Sequence, residues 1–213
     1  MKKLLLALAL IFAMIIPAIA TDDIRLSNVY KASYKMNDKF DIYLEPNMLF
    51  REDVTHLNSY YVRSGVVYHA SKYLDLGIAE LNYRVRNLAD KWSTENRAEF
   101  DIIPKAKIGN FILFNRSKIA YRWLDVIKNR WQYRNLSMIL YPIETFTLYI
   151  AEESFYCFEK KKRDLNLITF GVDKKISSNL TVGLFFTNET VRKGITSEWD
   201  TNAVIGTKIN LSF

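Results

Sequence analysis

Asn202-Ala-Val-Ile-Gly-Thr-Lys-Ile-Asn-Leu-Ser-Phe213 alternates in side-chain character up to an aromatic last residue. Successive strand residues point to opposite faces, so Ala203, Ile205, Ile209, Leu211 and Phe213 share one face and Asn202, Gly206, Lys208 and Asn210 the other. One face suits lipid and the other water. Behind an export signal, a final strand of this kind predicts a bacterial outer-membrane β-barrel. The strand closes the barrel, and Gly206, Ile209, Leu211 and Phe213 are the expected assembly signal read by the barrel-assembly machinery.

The opposite end agrees. Lys2 and Lys3 precede an apolar run from Leu4 to Ile16, and Pro17-Ala-Ile-Ala20 supplies small residues at a cleavage position. This predicts a signal peptide over residues 1–20 and a barrel domain over residues 21–213. The apolar run is short for a spanning helix. No cysteine stands at the cleavage position, and no later segment is apolar over the length of a spanning helix. A β-barrel and a soluble periplasmic β-protein are the two classes left.

Composition favours the barrel. Tyr and Phe each occur 13 times, with 4 Trp, and such rings favour membrane interfaces. The formal net charge of +7 includes Lys2 and Lys3 of the signal and is not gathered into a basic domain, which argues against nucleic acid as a partner. The single Cys157 excludes an internal disulfide framework and a cysteine-based metal site.

Eleven segments of alternating character lie near residues 24–35, 39–51, 59–70, 73–85, 95–107, 110–123, 130–141, 145–156, 163–176, 179–191 and 201–213. Tight connections are expected at Met36-Asn-Asp38, Ala70-Ser-Lys72, Gly109-Asn110, Pro142-Ile-Glu144 and Ser177-Ser178, where turn formers are frequent. Longer polar connections are expected near residues 52–58, 86–94, 124–129, 157–162 and 192–200. The predicted fold is all-β, an antiparallel up-and-down transmembrane barrel of roughly ten to twelve strands with its short turns toward the periplasm. An odd count conflicts with the even number usual in single-chain bacterial barrels, so the pattern predicts either a first segment that does not span or a strand hidden in a loop.

The Gly109-Asn110 turn fixes a register. With Ile108 facing Phe111, Asp101 opposes Lys118, Ile103 opposes Arg116 and Arg97 opposes Arg122, with Glu99 diagonal to both Lys118 and Arg122. The alternate residues pair Phe100 with Ile119 and Ala98 with Tyr121. Charge and apolar bulk thus sort to opposite faces of both strands at once. A half-buried soluble sheet sorts in the same way but leaves the terminal strand unexplained. The expected lumen network is Glu95, Arg97, Glu99, Asp101, Arg116, Lys118 and Arg122, joined by Arg63, Arg134, Glu153 and Lys208. Its mixed sign favours structural ion pairing over an ion-selective pore.

Tyr73-Leu-Asp-Leu-Gly77, Glu95-Asn-Arg97, Asn115-Arg-Ser117 followed by Tyr121-Arg122, Tyr133-Arg-Asn135 with Leu140-Tyr-Pro142, and Glu152-Glu153 follow one another along the chain. Together with the hairpin from Asn37 to Phe50, their order and spacing resemble the outer-membrane family catalogued as domain of unknown function 2490. The resemblance implies an outer-membrane β-barrel of a Gram-negative bacterium. It implies no activity.

An enzymatic alternative rests on His69-Ala-Ser71. Outer-membrane lipid hydrolases such as phospholipase A and the lipid A deacylase place a histidine and a serine two apart on one strand, where the imidazole activates the hydroxyl. Here the pair falls at a short turn on the periplasmic side, away from the outer leaflet, and no orienting partner is evident. Glu152-Glu153 cannot serve as a same-face pair, because adjacent strand residues diverge. No catalytic residue, metal ligand or cofactor is therefore expected. Lys160, Lys161, Lys162 and Arg163 form the densest basic run, suited to the phosphates of lipopolysaccharide. Trp92, Trp123, Trp131 and Trp199 fall on the same loop side. The expected partners are outer-membrane lipid, lipopolysaccharide and the assembly machinery, and the sequence leaves oligomeric state open. The expected role is non-enzymatic, in envelope structure or limited passage of small polar solutes.

Overall fold

The computed structural model describes residues 23–86, 90–125, 128–192 and 198–213. The expected signal peptide, residues 1–20, lies outside them. The strands are β1 (Asp23–Lys35), β2 (Phe40–Arg51), β3 (His56–Ser71), β4 (Leu74–Arg86), β5 (Trp92–Ile108), β6 (Phe111–Leu124), β7 (Arg130–Ile143), β8 (Phe146–Cys157), β9 (Lys162–Lys175), β10 (Leu180–Arg192) and β11 (Trp199–Ser212). They form one closed barrel in sequence order, with every consecutive pair antiparallel.

The odd count is resolved by the seam. β1 and β11 pair in parallel from Asp23 opposite Asn202 to Ser33 opposite Ser212. An up-and-down ring with an odd number of strands must contain one parallel pair, because its first and last strands run the same way. Neither a non-spanning first segment nor a hidden strand is needed, which corrects that expectation.

The Gly109-Asn110 register holds on both sides: Arg97 faces Arg122, Ala98 faces Tyr121, Phe100 faces Ile119 and Asp101 faces Lys118. Ile103 and Arg116 do not pair. The ladder lapses there and resumes at Lys105 opposite Phe114 without a slip. Pro104 sits in the gap and has no N–H to donate. Pro46 marks a similar lapse in β2, where pairing with β1 breaks between Leu44 and Asn47. Gly109 adopts φ of 59°, the left-handed conformation a tight hairpin turn requires.

Loop lengths contrast less than expected. The β2–β3 and β8–β9 connections shrink to residues 52–55 and 158–161, as short as residues 36–39 and 176–179 at the other end. Glu52, Asp53, Val54 and Lys161 take positive φ to turn that tightly.

The outer face is apolar. Phe100, Ile119, Leu184, Ile205 and Phe213 are among its exposed large side chains. Trp92, Trp123, Trp131 and Trp199 all stand at the loop end of their strands, and Tyr121 packs edge-on against both Trp123 and Trp131 at ring separations of 4.9 Å. Inside, Phe185 lies so close over Gly206 that an added Cβ would collide with the ring. The glycine of the expected assembly signal therefore makes room for an aromatic in the lumen.

Candidate functional site

Alternation along the strands sends Glu95, Arg97, Glu99 and Asp101 from β5, and Arg116, Lys118 and Arg122 from β6, into the lumen. All seven expected residues share that face. Arg63, Arg134 and Glu153 join them from β3, β7 and β8.

The centre of the network is Glu99. Its Oε2 accepts from Lys118 Nζ at 2.5 Å and lies 2.7 Å from Arg63 Nε. Arg63 Nη2 also donates to Asp101 Oδ2 at 2.7 Å. Lys118 is only 1% exposed and Glu99 4%. Desolvation of that order is costly unless each charge meets its opposite, and the close mutual packing supplies the compensation. Beyond Lys118, Arg134 and Arg116 both donate to a single oxygen of Glu153, Oε1, at 2.9 and 3.1 Å.

A second cluster sits toward the loop end. Glu95 accepts from Arg97 Nε at 2.5 Å and from Arg122 Nη2 at 2.7 Å. Arg97 and Arg122 face each other in the ladder, so Glu95 screens two like charges. Arg122 is thus committed to Glu95, where the sequence placed Glu99 between Lys118 and Arg122. Lys208, the remaining expected member, stands apart and pairs with Asp173 at 2.7 Å.

The lumen encloses a cavity of about 380 Å³. Arg63, Arg97, Arg116, Lys118 and Arg134 are in its lining, with Glu45, Glu153 and Glu189 as its carboxylates. Part of the opposite wall is apolar: Phe155, Leu167, Phe185 and Val204 also line the space. The sequence reading, which assigned apolar residues outward, missed this wall. The inward parity of β8 to β11 was the signal for it.

At the turn end, His69 is held from both sides. Its Nδ1 lies 2.9 Å from Asp75 Oδ1 and its Nε2 3.1 Å from Asp41 Oδ2, while Lys105 Nζ reaches Asp75 at 2.7 Å. These carboxylates are the partners the sequence did not reveal, because they come from neighbouring strands. A bulge separates His69 from Ser71, whose Oγ accepts from the Tyr73 amide at 3.1 Å. Both imidazole nitrogens are therefore engaged away from the serine. Among the described residues no group of three or more His, Cys, Asp and Glu side chains is placed to hold a metal ion.

Lys160 and Lys161 lie in the β8–β9 connection, and Lys162 and Arg163 open β9 at the tryptophan-bearing end. Lys160 pairs with Asp164 at 3.3 Å. In the same loop Glu159 accepts from the Trp131 amide at 2.8 Å. Loss of solvation pushes the Glu159 carboxyl upward, but hydrogen bonds to its charged form, from Trp131 among others, outweigh that and hold it below the usual range.

Comparison with known proteins agrees with this architecture. The structure of LpxR from Salmonella typhimurium superposes with a TM-score of 0.54 over 86% of this chain and 87% of that one, at 8% sequence identity, a likeness of fold alone. No curated protein matches the sequence. The model of the family described as "Protein of unknown function (DUF2490)" matches residues 28–199. With most of its barrel inside that match, the chain belongs to the DUF2490 family.

Proposed function

We propose that this chain is an outer-membrane β-barrel that catalyses no reaction, and that its lumen admits or holds small polar solutes, anions above all. The apolar outer face, the tryptophans gathered at one end and the barrel closure support the location. Closure satisfies the backbone within the sheet, as a hydrocarbon environment demands.

The observation that carries the solute preference is the sharing of Glu153. Two guanidinium groups, Arg116 and Arg134, bond one carboxylate oxygen, and the Nε of each is buried without a hydrogen-bond partner. Both border the cavity, as do Arg63, Arg97 and Lys118. Five cationic side chains face three carboxylates in that lining, so an entering anion meets an excess of positive charge. The ion pairs around Glu99 fix these cations in place and narrow the passage. Outside the lumen, Lys160, Lys161, Lys162 and Arg163 are placed to meet lipopolysaccharide phosphates near the outer surface.

Planar-bilayer recording tests this reading. The expected result is a small conductance whose reversal potential in a salt gradient favours anions, and whose preference weakens in Arg116→Gln and Arg134→Gln. A large unselective conductance, or cation preference, would count against it.

A further inference from the structure

The lumen cavity has two unlike sides. Arg63, Arg97, Arg116, Lys118 and Arg134 reach it from β3, β5, β6 and β7. Phe155, Leu165, Leu167, Phe185 and Val204 reach it from β8, β9, β10 and β11. Those strands follow one another around the closed ring, so a cationic arc passes directly into an apolar one. The two meet where the Arg134 guanidinium lies 4.3 Å from the centroid of the Phe155 ring, its cross-strand partner. Leu165 stands opposite Phe155 and Leu167 opposite Glu153 on the next strand.

Charge on the first arc does not balance. Ion pairs join Arg63, Arg116, Lys118 and Arg134 to Glu99, Asp101 and Glu153, and to no other carboxylate among the described residues. Four cations thus share three carboxylates, and one positive charge is left over. Its place is beside Glu153, where Arg116 reaches one oxygen through Nη2 and makes no other ion pair or hydrogen bond among the described residues. At the seam the balance reverses, with Asp23 and Glu189 sharing Arg25. The excess is therefore local to Arg116 and Arg134.

The second arc breaks the rule that a narrow barrel turns polar side chains inward. Two leucines and two phenylalanines against water cost free energy in proportion to their apolar area, and an uncompensated charge beside so weakly polarisable a wall costs more than one in open water. A small inorganic anion relieves the charge and leaves the apolar arc wet. A neutral apolar molecule does the reverse. A molecule that carries one negative group on an apolar body answers both at once, and a mostly apolar lining with a few convergent charges is the usual make-up of a small-molecule site.

Size and position narrow the class. The cavity holds about 380 Å³, room for roughly a dozen non-hydrogen atoms at the ~30 Å³ that a water molecule occupies. Leu49, Ser59, Tyr83, Leu165 and Glu189 line it, each within three residues of the loop end of its strand, so it lies in the loop half of the lumen. We propose that this chamber is a binding site for an amphipathic monocarboxylate, a medium-length apolar chain or single ring bearing one carboxylate. The carboxylate lies against Arg116 and Arg134 and the apolar body along Phe155, Leu165 and Leu167. This deepens, and rests on, the anion preference of the lumen proposed above.

The test uses the mature chain folded into phosphatidylcholine nanodiscs, with radiolabelled octanoate in equilibrium dialysis at neutral pH. Protein-free nanodiscs supply the correction for partition into lipid, and heat-modifiable migration shows that each variant is folded. The wild type is expected to bind octanoate saturably at one per barrel, and acetate and octylammonium each about tenfold or more weakly, the first for want of apolar area and the second for its sign. Arg116→Gln is expected to weaken both octanoate binding and the anion preference of the bilayer conductance. Leu167→Asn is expected to weaken octanoate about tenfold and to leave the anion preference in place. Leu165→Trp, which fills the chamber with apolar bulk, is expected to exclude octanoate as well, and carries the test should Leu167→Asn fail to fold. Anion preference with acetate held as tightly as octanoate, or octanoate binding that neither Leu167→Asn nor Leu165→Trp diminishes, overturns the amphipathic site alone. Octylammonium held as tightly as octanoate, together with a conductance that does not favour anions, overturns the lumen reading with it.

Discussion

The Phe213 amide donates to the Ser33 carbonyl at 2.9 Å, and the Phe213 carbonyl accepts from the Lys35 amide, also at 2.9 Å. The last residue is thereby tied to the first strand through its backbone, independently of its ring. Deleting Phe213 is expected to reduce the heat-modifiable fraction more than Phe213→Ala does when the protein is refolded in detergent. If the ring also serves as an assembly signal, the two variants are expected to converge in cells. Quantifying folded and unfolded bands in both settings checks this.

Lys118 and Glu99 make the most buried ion pair of the lumen. Removing one partner leaves the other charged and desolvated, at a cost of about 3–5 kcal/mol. Lys118→Met is therefore expected to lower the denaturant midpoint sharply. The double variant Lys118→Met/Glu99→Gln is expected to recover part of that loss, because Arg63 keeps Asp101 as a partner. Equilibrium unfolding from vesicles is the measurement.

Paired cysteines at Asp101 and Lys118 are expected to crosslink across β5 and β6, and labels at Phe100 and Ile119 to be shielded from aqueous reagents by lipid. Reversed labelling would mean a register shifted by one residue.

The β5–β6 face was legible in the sequence because a two-residue turn fixes register, and register with alternation fixes face. From Gly109-Asn110 alone follow the inward positions of Glu95 through Arg122. Partners across several strands were not legible. The choice of Glu95 by Arg122, and the sharing of Glu153 by Arg116 and Arg134, depend on how long side chains reach over barrel curvature. The lapses at Pro46 and Pro104 were written in the residues as missing donors, but whether pairing would slip or merely pause was not.

His69 meets Asp41 and Asp75, and Ser71 meets the Tyr73 amide, so neither is directed at the other. Purified protein is expected to release no fatty acid from phospholipid or lipid A, and His69→Ala and Ser71→Ala to leave that baseline unchanged. Hydrolysis by the wild type that both substitutions abolish would restore the enzymatic alternative.

The parallel seam carries a kinetic consequence. It joins residues far apart in the chain, Asn28 and Thr207 being separated by 179 positions. Every hairpin between them can form locally, but the weld waits until both terminal strands have been delivered to the same place. Until then the sheet keeps two unpaired edges, each able to recruit a stranger's strand. Ring closure is therefore the step expected to be slowest in folding and most exposed to mispairing.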